Sequence, residues 1–380
     1  MAAKQTVYLD DISERCVNKD KTYYSAKTLQ TKYLHDVRFV PYRRMDSGTY
    51  SGGLVDTCNN YIEPATQSNE LIRVPPLIQD IKKDTRTVVY LGCFLHHWGH
   101  FCIEGISRAY FILNHKNYLY AYSTSDGKEF SKQFLEFFSL LGLKKENLIH
   151  ISETTQFRQI IVPDVSVIAG EYYTKEYTDV FKAITEKIKP IYNEKIYMQN
   201  TDYGKIKKYY GVSNIETFFQ INGYTFIRPD RMSLKKQIAL IKGCNQFACI
   251  NGTLMHNMLF ANDNTELIVI NKTYLQNPYQ GLIDSMKKLR VTYIDSYIAL
   301  MPVTIGYGPF YLTISHTLTR FAKENGLKIP SYKHNDELCD YLKAWVDINL
   351  PRTIFQDIMY SKSIDELRNY YFKFINTTNH

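Results

Sequence analysis

Residues 246–270, which read QFACINGTLMHNMLFANDNTELIVI, leave few folds open to this chain. A short apolar strand (247–250) precedes the polar turn Asn251-Gly252-Thr253. An amphipathic stretch (254–260) and a second apolar strand (267–270) follow the turn. This order is that of a βαβ unit, in which the two strands are expected to be parallel. The segment therefore predicts an open α/β sheet.

Gly252 lies where the first of these strands ends and the helical stretch begins. At that position an open α/β sheet directs backbone N–H groups and a helix N-terminus toward an anionic ligand, and a diphosphate would fit there. A tight strand-to-helix turn without a ligand is an equally good interpretation, because one glycine without a GxGxxG or GKS pattern is a weak signal.

Composition limits the class of protein. With 380 residues, of which 44% are hydrophobic, the chain can fill two cores, so two domains are expected. The net charge of +8 is scattered rather than clustered, which does not indicate nucleic-acid binding and suits an anionic small ligand or an anionic membrane surface equally well. Seven cysteines without a CxxC pair, a polar N-terminus and the lack of a long apolar run predict a cytoplasmic protein with reduced thiols.

The order of periodic segments predicts two α/β domains, residues 1–190 and 191–380, with a ligand cleft between them at the carboxyl ends of the strands. Strands are predicted at 37–40, 87–91, 118–122, 148–151, 159–162, 195–198, 224–227 and 291–294, in addition to the two above. Helices are predicted at 130–141, 175–188, 215–221, 233–242 (with Ser233 as N-cap), 282–289, 317–325, 336–347 and 364–374.

The sequence HHWGH follows the strand at 87–91 and opens a stretch with helical spacing of apolar residues. His100, Glu104, Ser107 and Arg108 are expected on or beside its other face. His96 and His100 have the spacing of zinc ligands, but the HExxH glutamate is missing, so zinc is disfavoured. The histidines are then either structural or include a general base, with Glu104 orienting the ring or acting itself. Arg108 is expected to pair with Glu104 or with a ligand phosphate.

Taken together, HHWGHFCIEGISRAY and IETFFQINGYTFIRPDRMSLKKQIALIKGCNQFACINGTLMHNMLF resemble the family 61 glycosyltransferases, also described as capsular polysaccharide biosynthesis proteins. That family pairs a G-H-F-x-x-[DE] helix start with a Ser-initiated helix carrying a Gln and with a Gly-[Ala/Thr]-x-x-x-Asn helix start. The matching positions are Gly99-His100-Phe101 with Glu104, Ser233 with Gln237, and Gly252-Thr253 with Asn257 and Phe260. The resemblance spans roughly residues 88–272.

The resemblance implies a GT-B fold and inverting transfer from a nucleotide-sugar without a metal or other cofactor. The sequence independently lacks the D-x-D triplet that holds a divalent cation in metal-dependent glycosyltransferases. It departs from the family at Asn251, where many members have His, and at Gln199 and Asn200, where they have Arg. The missing positive charge is hypothesised to come from Arg228, Lys195 or Lys205.

The predicted mechanism is a single displacement. A base, His100 first and Glu104 second, deprotonates an acceptor hydroxyl that attacks the anomeric carbon while the nucleoside diphosphate departs. The predicted donor-binding residues are Asn251, Gly252, Thr253, Leu254, Asn257, Arg228, Ser233 and Gln237. His97 and Arg108 are expected to contact the acceptor or a phosphate. Asn257 alternatively bonds only its own helix, and Ser233 is alternatively only an N-cap.

The predicted partners are a nucleotide-sugar and a glycan or lipid-linked glycan acceptor in surface or capsular polysaccharide synthesis, with peripheral association at the inner face of the membrane left open. Two other functions compete with this interpretation. One is transfer of a sugar phosphate or polyol phosphate by the same fold. The other is a non-catalytic GT-B module that binds a glycan or a partner enzyme.

Overall fold

Two large sheets with parallel strands at their centres form the framework of the protein. The structure is a computed structural model, and it describes residues 4–9, 21–45, 49–62, 78, 80–200, 208–274, 277, 279–298, 308–331 and 337–356. The strands are β1 (Lys4–Tyr8), β2 (Thr31–Leu34), β3 (Arg38–Arg44), β4 (Tyr50–Val55), β5 (Lys82–Phe94), β6 (Leu119–Thr124), β7 (Leu148–His150), β8 (Thr155–Pro163), β9 (Val167–Ile168), β10 (Tyr172–Tyr173), β11 (Asn193–Met198), β12 (Tyr209–Tyr210), β13 (Thr225–Ile227), β14 (Cys244–Ile250), β15 (Glu266–Asn271), β16 (Arg290–Asp295) and β17 (Phe310–Tyr311).

Helices cover both sheets. The α-helices are α1 (Trp98–Ile103), α2 (Lys132–Leu141), α3 (Lys175–Thr185), α4 (Val212–Ile221), α5 (Leu234–Gly243), α6 (Gln280–Lys287), α7 (His316–Glu324) and α8 (Leu338–Gln356). Among the described residues, 3-10 helices occupy Gly105–Leu113, Lys145–Asn147, Pro229–Arg231 and Thr253–Phe260. The predicted helix at 364–374 lies outside the described residues.

The first sheet has the order β4-β3-β8-β5-β6-β7, and β2 also pairs with β8. Strands β8, β5, β6 and β7 run parallel, whereas β2, β3 and β4 pair antiparallel at the other side. Strands β6 and β8 come after β5 in the chain and pair with it on opposite sides. The carboxyl end of β5 is therefore a topological switch point. His96 and His97 follow that strand directly.

The second sheet has the order β1-β16-β15-β14-β11-β13, and every neighbouring pair is parallel. From β11 the chain reaches β13 on one side and then crosses to β14 on the other. The carboxyl ends of β11 and β14 therefore form a topological switch point, where open α/β sheets bind ligands. The predicted α/β fold class is confirmed.

Strand β1 departs from the predicted organisation. Its residues pair with β16 at the edge of the second sheet, in register from Lys4 with Arg290 to Tyr8 with Ile294. No sequence pattern indicated this pairing, because residues 1–80 are mixed and polar. The division of the chain near residue 190 stays a prediction.

We refer to the first sheet with α1–α3 as the first unit, and to the second sheet with α4–α7 as the second unit. Their facing helices share one apolar core, in which Phe181 of α3 lies edge-on to Phe260 with ring centroids 5.3 Å apart. The amino end of α5 also joins the units, since the Glu136 carboxylate of α2 accepts hydrogen bonds from the amides of Leu234 and Lys235, each at 2.9 Å. The two units are therefore in direct contact.

The segment after Trp98 is not the predicted amphipathic helix. It is a short α1 followed by a 3-10 helix, and the change of period turns its polar residues inward. Glu104, Ser107 and Arg108 are all buried. The stretch at 254–260 is likewise a 3-10 helix with most of its side chains buried, rather than an amphipathic α-helix.

Candidate functional site

The turn after β14 lies at the switch point of the second sheet. The amide of Asn251 donates to the Ile270 carbonyl at 2.8 Å, which holds the turn against β15. Gly252 then adopts φ 152° and ψ −156°, a combination that is essentially restricted to glycine. Thr253 begins the 3-10 helix directly after it. The glycine is thus required by the backbone, and its amide lies at the sheet edge where ligands bind.

Buried amides and a carboxylate connect the ends of three neighbouring strands. Asn251 Nδ2 donates to Asn271 Oδ1, and Asn271 Nδ2 donates to Asp295 Oδ1, both at 2.9 Å. These three side chains are at most 1% exposed. Asn251 Oδ1 has no hydrogen-bond partner among the described residues. The network fixes the turn by tying together the carboxyl ends of β14, β15 and β16.

His97 of the first unit meets this turn. Its Nε2 lies 3.3 Å from Thr253 Oγ1. Burial lowers the pKa of His97 to about 4, and positive charge on His100 and Lys208 acts in the same direction. The imidazole is consequently neutral near pH 7. The two residues bring the carboxyl end of β5 to the carboxyl end of β14, so the switch points of both sheets converge.

His100 and Glu104 form a dyad beside this junction. His100 Nδ1 lies 3.1 Å from Glu104 Oε2, and the side chains are 35% and 8% exposed, respectively. In the tautomer that carries its proton on Nδ1, the imidazole donates a hydrogen bond to the Glu104 carboxylate. Nε2 is then the basic nitrogen. A buried carboxylate that orients a partly exposed imidazole is the arrangement of a general base.

His256 lies behind the dyad and is fully buried. A Cβ on Gly99 would come within 2.9 Å of His256 Nδ1, so glycine is what allows α1 to approach this ring. Burial lowers the pKa of His256 to about 3, and its neighbour His97 lowers it further. Asn277 Nδ2 donates to His256 Nε2 at 3.1 Å. His256 therefore packs as a neutral ring between the units.

Two of the expected ligand contacts are occupied by the protein itself. Asn257 Oδ1 accepts a hydrogen bond from Trp98 Nε1, and its Nδ2 donates to the Leu254 carbonyl, both at 2.9 Å. Ser233 caps α5 through the Lys236 amide at 3.3 Å. The Asn257 bond to its own helix and the Ser233 cap are contacts that the structural alternatives named, whereas the Trp98 contact was not predicted. The ligand roles of Asn257 and Ser233 stay predictions. Leu254 itself packs its side chain against the shared core.

The remaining predicted residues lie apart from the junction or face their own unit. Arg108 is fully buried, donates from Nε to the Pro163 carbonyl at 2.9 Å and lies over the Tyr90 ring. Gln237 is buried and donates to the Pro229 carbonyl at 2.9 Å. Arg228 forms an ion pair with Asp230 at 3.0 Å. The contacts described here join each of the three side chains to residues of its own unit.

A lysine that sequence reasoning missed lies close to the turn. Lys272 follows β15 and is 5% exposed, and its Nζ lies 3.5 Å from the position of a Cβ on Gly252. Lys195, by contrast, is near the start of β11, and Lys205 is outside the described residues. A charged residue directly after the apolar strand ELIVIN was the available signal, since side chains there meet at the ligand-binding edge.

A cavity of about 400 Å³ opens at the carboxyl ends of β3, β6 and β7 in the first unit. Its lining includes Arg43, Arg44, Ser125 and Asp126. Asp126 Oδ1 lies 2.7 Å from Nδ1 of His96. Burial raises the pKa of Asp126, but hydrogen bonds from His96 and a backbone amide outweigh burial and hold it below its usual value. His96 and His100 thus have separate carboxylate partners.

Within the described ranges, no three His, Cys, Asp or Glu side chains are grouped as metal ligands would be. The absence of a metal requirement stays a prediction. Over the same ranges, no helix has the length and hydropathy that crossing a membrane requires.

Comparison with known proteins bears on this geometry. Residues 98–268 match the family Glycosyltransferase 61. This segment belongs to that family. The match contains the His100–Glu104 dyad and the Gly252 turn, and it begins directly after His97. It ends before Lys272. No characterised protein matches the chain at a significant level.

The predicted family is therefore confirmed, and with it a glycosyltransferase domain. Such a domain implies transfer of a glycosyl group from a donor to an acceptor.

Proposed function

We propose that this protein is an inverting glycosyltransferase that moves a sugar from a nucleotide-sugar donor to a glycan acceptor in surface or capsular polysaccharide synthesis. The observation that carries the proposal is the contact between His97 and Thr253, which brings the His100–Glu104 dyad beside the Gly252 turn, because the His100 ring lies 5.0 Å from the His97 ring. The dyad and the turn lie inside the glycosyltransferase 61 segment. A base on one unit then faces an anion-binding turn on the other.

The second unit is proposed to bind the donor. The amides of Gly252, Thr253 and Leu254 begin a helix at the switch point, where fixed N–H dipoles stabilise the charge that develops on a departing diphosphate. The Thr253 hydroxyl adds a donor at the same place, and His97 holds that side chain from the opposite unit. These groups act most strongly on the leaving group, which is where a transferase needs them.

The first unit is proposed to bind the acceptor and to supply the base. Glu104 keeps the proton on His100 Nδ1, so Nε2 can take the proton of the acceptor hydroxyl as it attacks the anomeric carbon. The cavity near Arg43 and Arg44 supports acceptor binding in this unit, because it opens at the same edge of the first sheet. Attack from the face opposite the diphosphate inverts the configuration.

The same proposal includes a GT-B arrangement with domains divided near residue 190, no metal requirement, and action in the cytoplasm or at the inner face of the membrane. The switch points of two α/β sheets that meet at one junction support the GT-B arrangement. The scattered net charge of +8 is compatible with an acceptor anchored in an anionic bilayer.

The first experiment measures thermal stability with UDP, GDP, dTDP, ADP and CMP, each with and without magnesium. A ligand that binds only the folded state raises the melting temperature, so one nucleotide is expected to give a magnesium-independent increase. The absence of any increase would contradict the proposal and favour a non-catalytic module.

The second experiment tests the base. His100→Ala is expected to lower kcat by about 100- to 10,000-fold while nucleotide binding is retained. Glu104→Gln is expected to cause a smaller loss, because the ring keeps a hydrogen-bond acceptor. His35→Ala, at an exposed histidine of the first unit, is the control. Unchanged activity in His100→Ala, or a product joined through a phosphodiester, would refute the mechanism.

A further inference from the structure

Lys272 is an unusual residue to find beneath the proposed donor turn. Lys272 is buried, with only 5% of its surface exposed. Its Nζ donates to the Tyr209 hydroxyl at 3.0 Å and lies 4.2 Å from the centroid of the Phe310 ring. No carboxylate forms an ion pair with it among the residues that the structure describes. The amine is therefore enclosed by a cage of two aromatic rings, and the Tyr209 hydroxyl is its hydrogen-bond acceptor in the described part of the chain.

The strand pair β12–β17 supplies the two rings of this cage. The short parallel pair of β12 and β17 sets Tyr209 opposite Phe310, and the Phe310 amide donates to the Lys208 carbonyl at 2.8 Å. Both rings face Nζ, at 5.1 and 4.2 Å from their centroids. Burial of a lysine is unfavourable unless an anion or a hydrogen-bond acceptor compensates it. A methionine would fill an apolar cage of this kind at lower free-energy cost.

The position of Nζ indicates which kind of ligand would compensate the charge of the Lys272 ammonium group. It lies 3.5 Å from the Cβ position of Gly252, on the side of the turn where the strands of the second sheet end. Asn251, whose Oδ1 is without a hydrogen-bond partner among the described residues, precedes that glycine. Lys208 adds positive charge close by, and its charge together with burial lowers the pKa of Lys272 to about 7, burial being the larger cause. An anion bound at this turn would favour the protonated amine.

We propose that Lys272 binds the diphosphate of the donor from beneath the Gly252 turn and neutralises the charge of the departing nucleoside diphosphate. This assignment rests on the proposed glycosyltransferase function and adds a residue outside the segment that matches the family. It replaces Arg228, Lys195 and Lys205 as the source of positive charge. Tyr209 and Phe310 orient the ammonium group, and the Tyr209 hydroxyl accepts one of its hydrogen bonds.

The test compares nucleoside diphosphates with the corresponding nucleosides, using calorimetry on the full chain. Lys272→Met is expected to weaken binding of the nucleoside diphosphate by about 10- to 100-fold, as loss of a charge-assisted hydrogen bond does. Binding of the nucleoside, which lacks phosphate, is expected to stay within about twofold. Lys272→Arg is expected to retain part of the affinity, because a guanidinium also binds phosphate and stacks on aromatic rings.

Lys287→Met is the matched control. Lys287 is also a lysine whose pKa is lowered by burial, but it lies at the end of α6, where its carbonyl accepts from the Asn264 amide just before β15 begins. That position is the opposite edge of the same sheet. The control is expected to bind nucleotides like the unmodified protein, and circular dichroism is expected to show that all three variants are folded.

A second readout separates binding from a purely structural role. At pH 8, above the pKa of Lys272, diphosphate binding is expected to take up protons, which appears as a dependence of the binding enthalpy on buffer ionisation. Lys272→Met is expected to abolish this uptake. Equal diphosphate affinity, or equal proton uptake, in Lys272→Met and the unmodified protein would overturn the assignment and leave the proposed function standing. Failure of the unmodified protein to bind any nucleotide would overturn both.

Discussion

Replacement of Asp284 by Asn is expected to stabilise the protein at neutral and alkaline pH. Asp284 lies on α6 and is fully buried. Its Oδ1 accepts from Gln280 Nε2 at 2.7 Å, and its Oδ2 accepts from the Tyr293 hydroxyl at 2.8 Å. No lysine, arginine or histidine forms an ion pair with it in the described part of the chain. Burial without a counter-charge raises its pKa to about 7, although hydrogen bonds from Tyr293, Gln280 and Gln5 oppose the increase.

The sign and size of the effect follow from this increase. A carboxyl whose pKa is higher in the folded than in the unfolded chain destabilises the fold when it ionises, so stability falls as the pH rises from about 4 to about 7. The difference between about 7 and the ordinary 3.8 corresponds to at most about 4 kcal/mol above pH 7. Asparagine carries no charge, and the unpaired oxygens of Gln5 and Gln280 can accept from its Nδ2 after a small rotation.

Urea denaturation of both proteins at pH 4, 5, 6, 7 and 8 measures this difference. We expect the two free energies of unfolding to lie close together at pH 4 and to separate in favour of Asp284→Asn as the pH rises. Tyr293→Phe, which removes a hydrogen bond to the carboxylate, should move the separation to higher pH. A difference between Asp284→Asn and the unmodified protein that is the same at every pH, or a variant that is less stable at pH 8, would refute the reasoning.

Three further substitutions test the junction. Gly252→Ala forces a side chain into a conformation that glycine alone favours, so it should lower the free energy of unfolding by about 1–3 kcal/mol and weaken nucleotide binding, as urea denaturation and calorimetry would show. Glu136→Gln weakens the cap on α5 and should cost about 1 kcal/mol, measured by the same denaturation, whereas an unchanged midpoint would argue against the cap. Trp98→Phe leaves Asn257 Oδ1 without its indole donor and should lower the free energy of unfolding by about 1–3 kcal/mol. Tyr192→Phe, at an exposed aromatic residue, is the control, and an equal loss of stability in the two variants would contradict this expectation.

Local sequence signals predicted most of the regular elements. The β-branched run at 87–91 and the apolar run at 267–270 lie in β5 and β15. The N-cap Ser233 and the C-terminal Gly142, which has φ 97°, bound α5 and α2 as expected. These features depend on neighbouring residues alone, so the sequence is sufficient to predict them.

Features that depend on distant partners could not be predicted. Glu104 and Arg108 were placed on a polar face because helical spacing was assumed, but the 3-10 helix Gly105–Leu113 changes that spacing. Asn257 was assigned to a ligand, while its partner Trp98 is distant in sequence and belongs to the other unit. Lys272 drew no attention, because its cage comes from β12 and β17, two strands of only two residues each.

The position of β1 has a consequence for the order in which the protein is made. Lys4–Tyr8 is synthesised first among the described strands, yet its partner Arg290–Asp295 leaves the ribosome only after the whole first sheet and most of the second. Until then β1 has no strand to pair with, and an unpaired strand is prone to association with other chains. The Tyr8 hydroxyl then donates to Glu324 of α7, so closure of the second sheet also awaits that later helix. Lys4–Tyr8 must therefore remain available for pairing until Arg290–Asp295 has been synthesised.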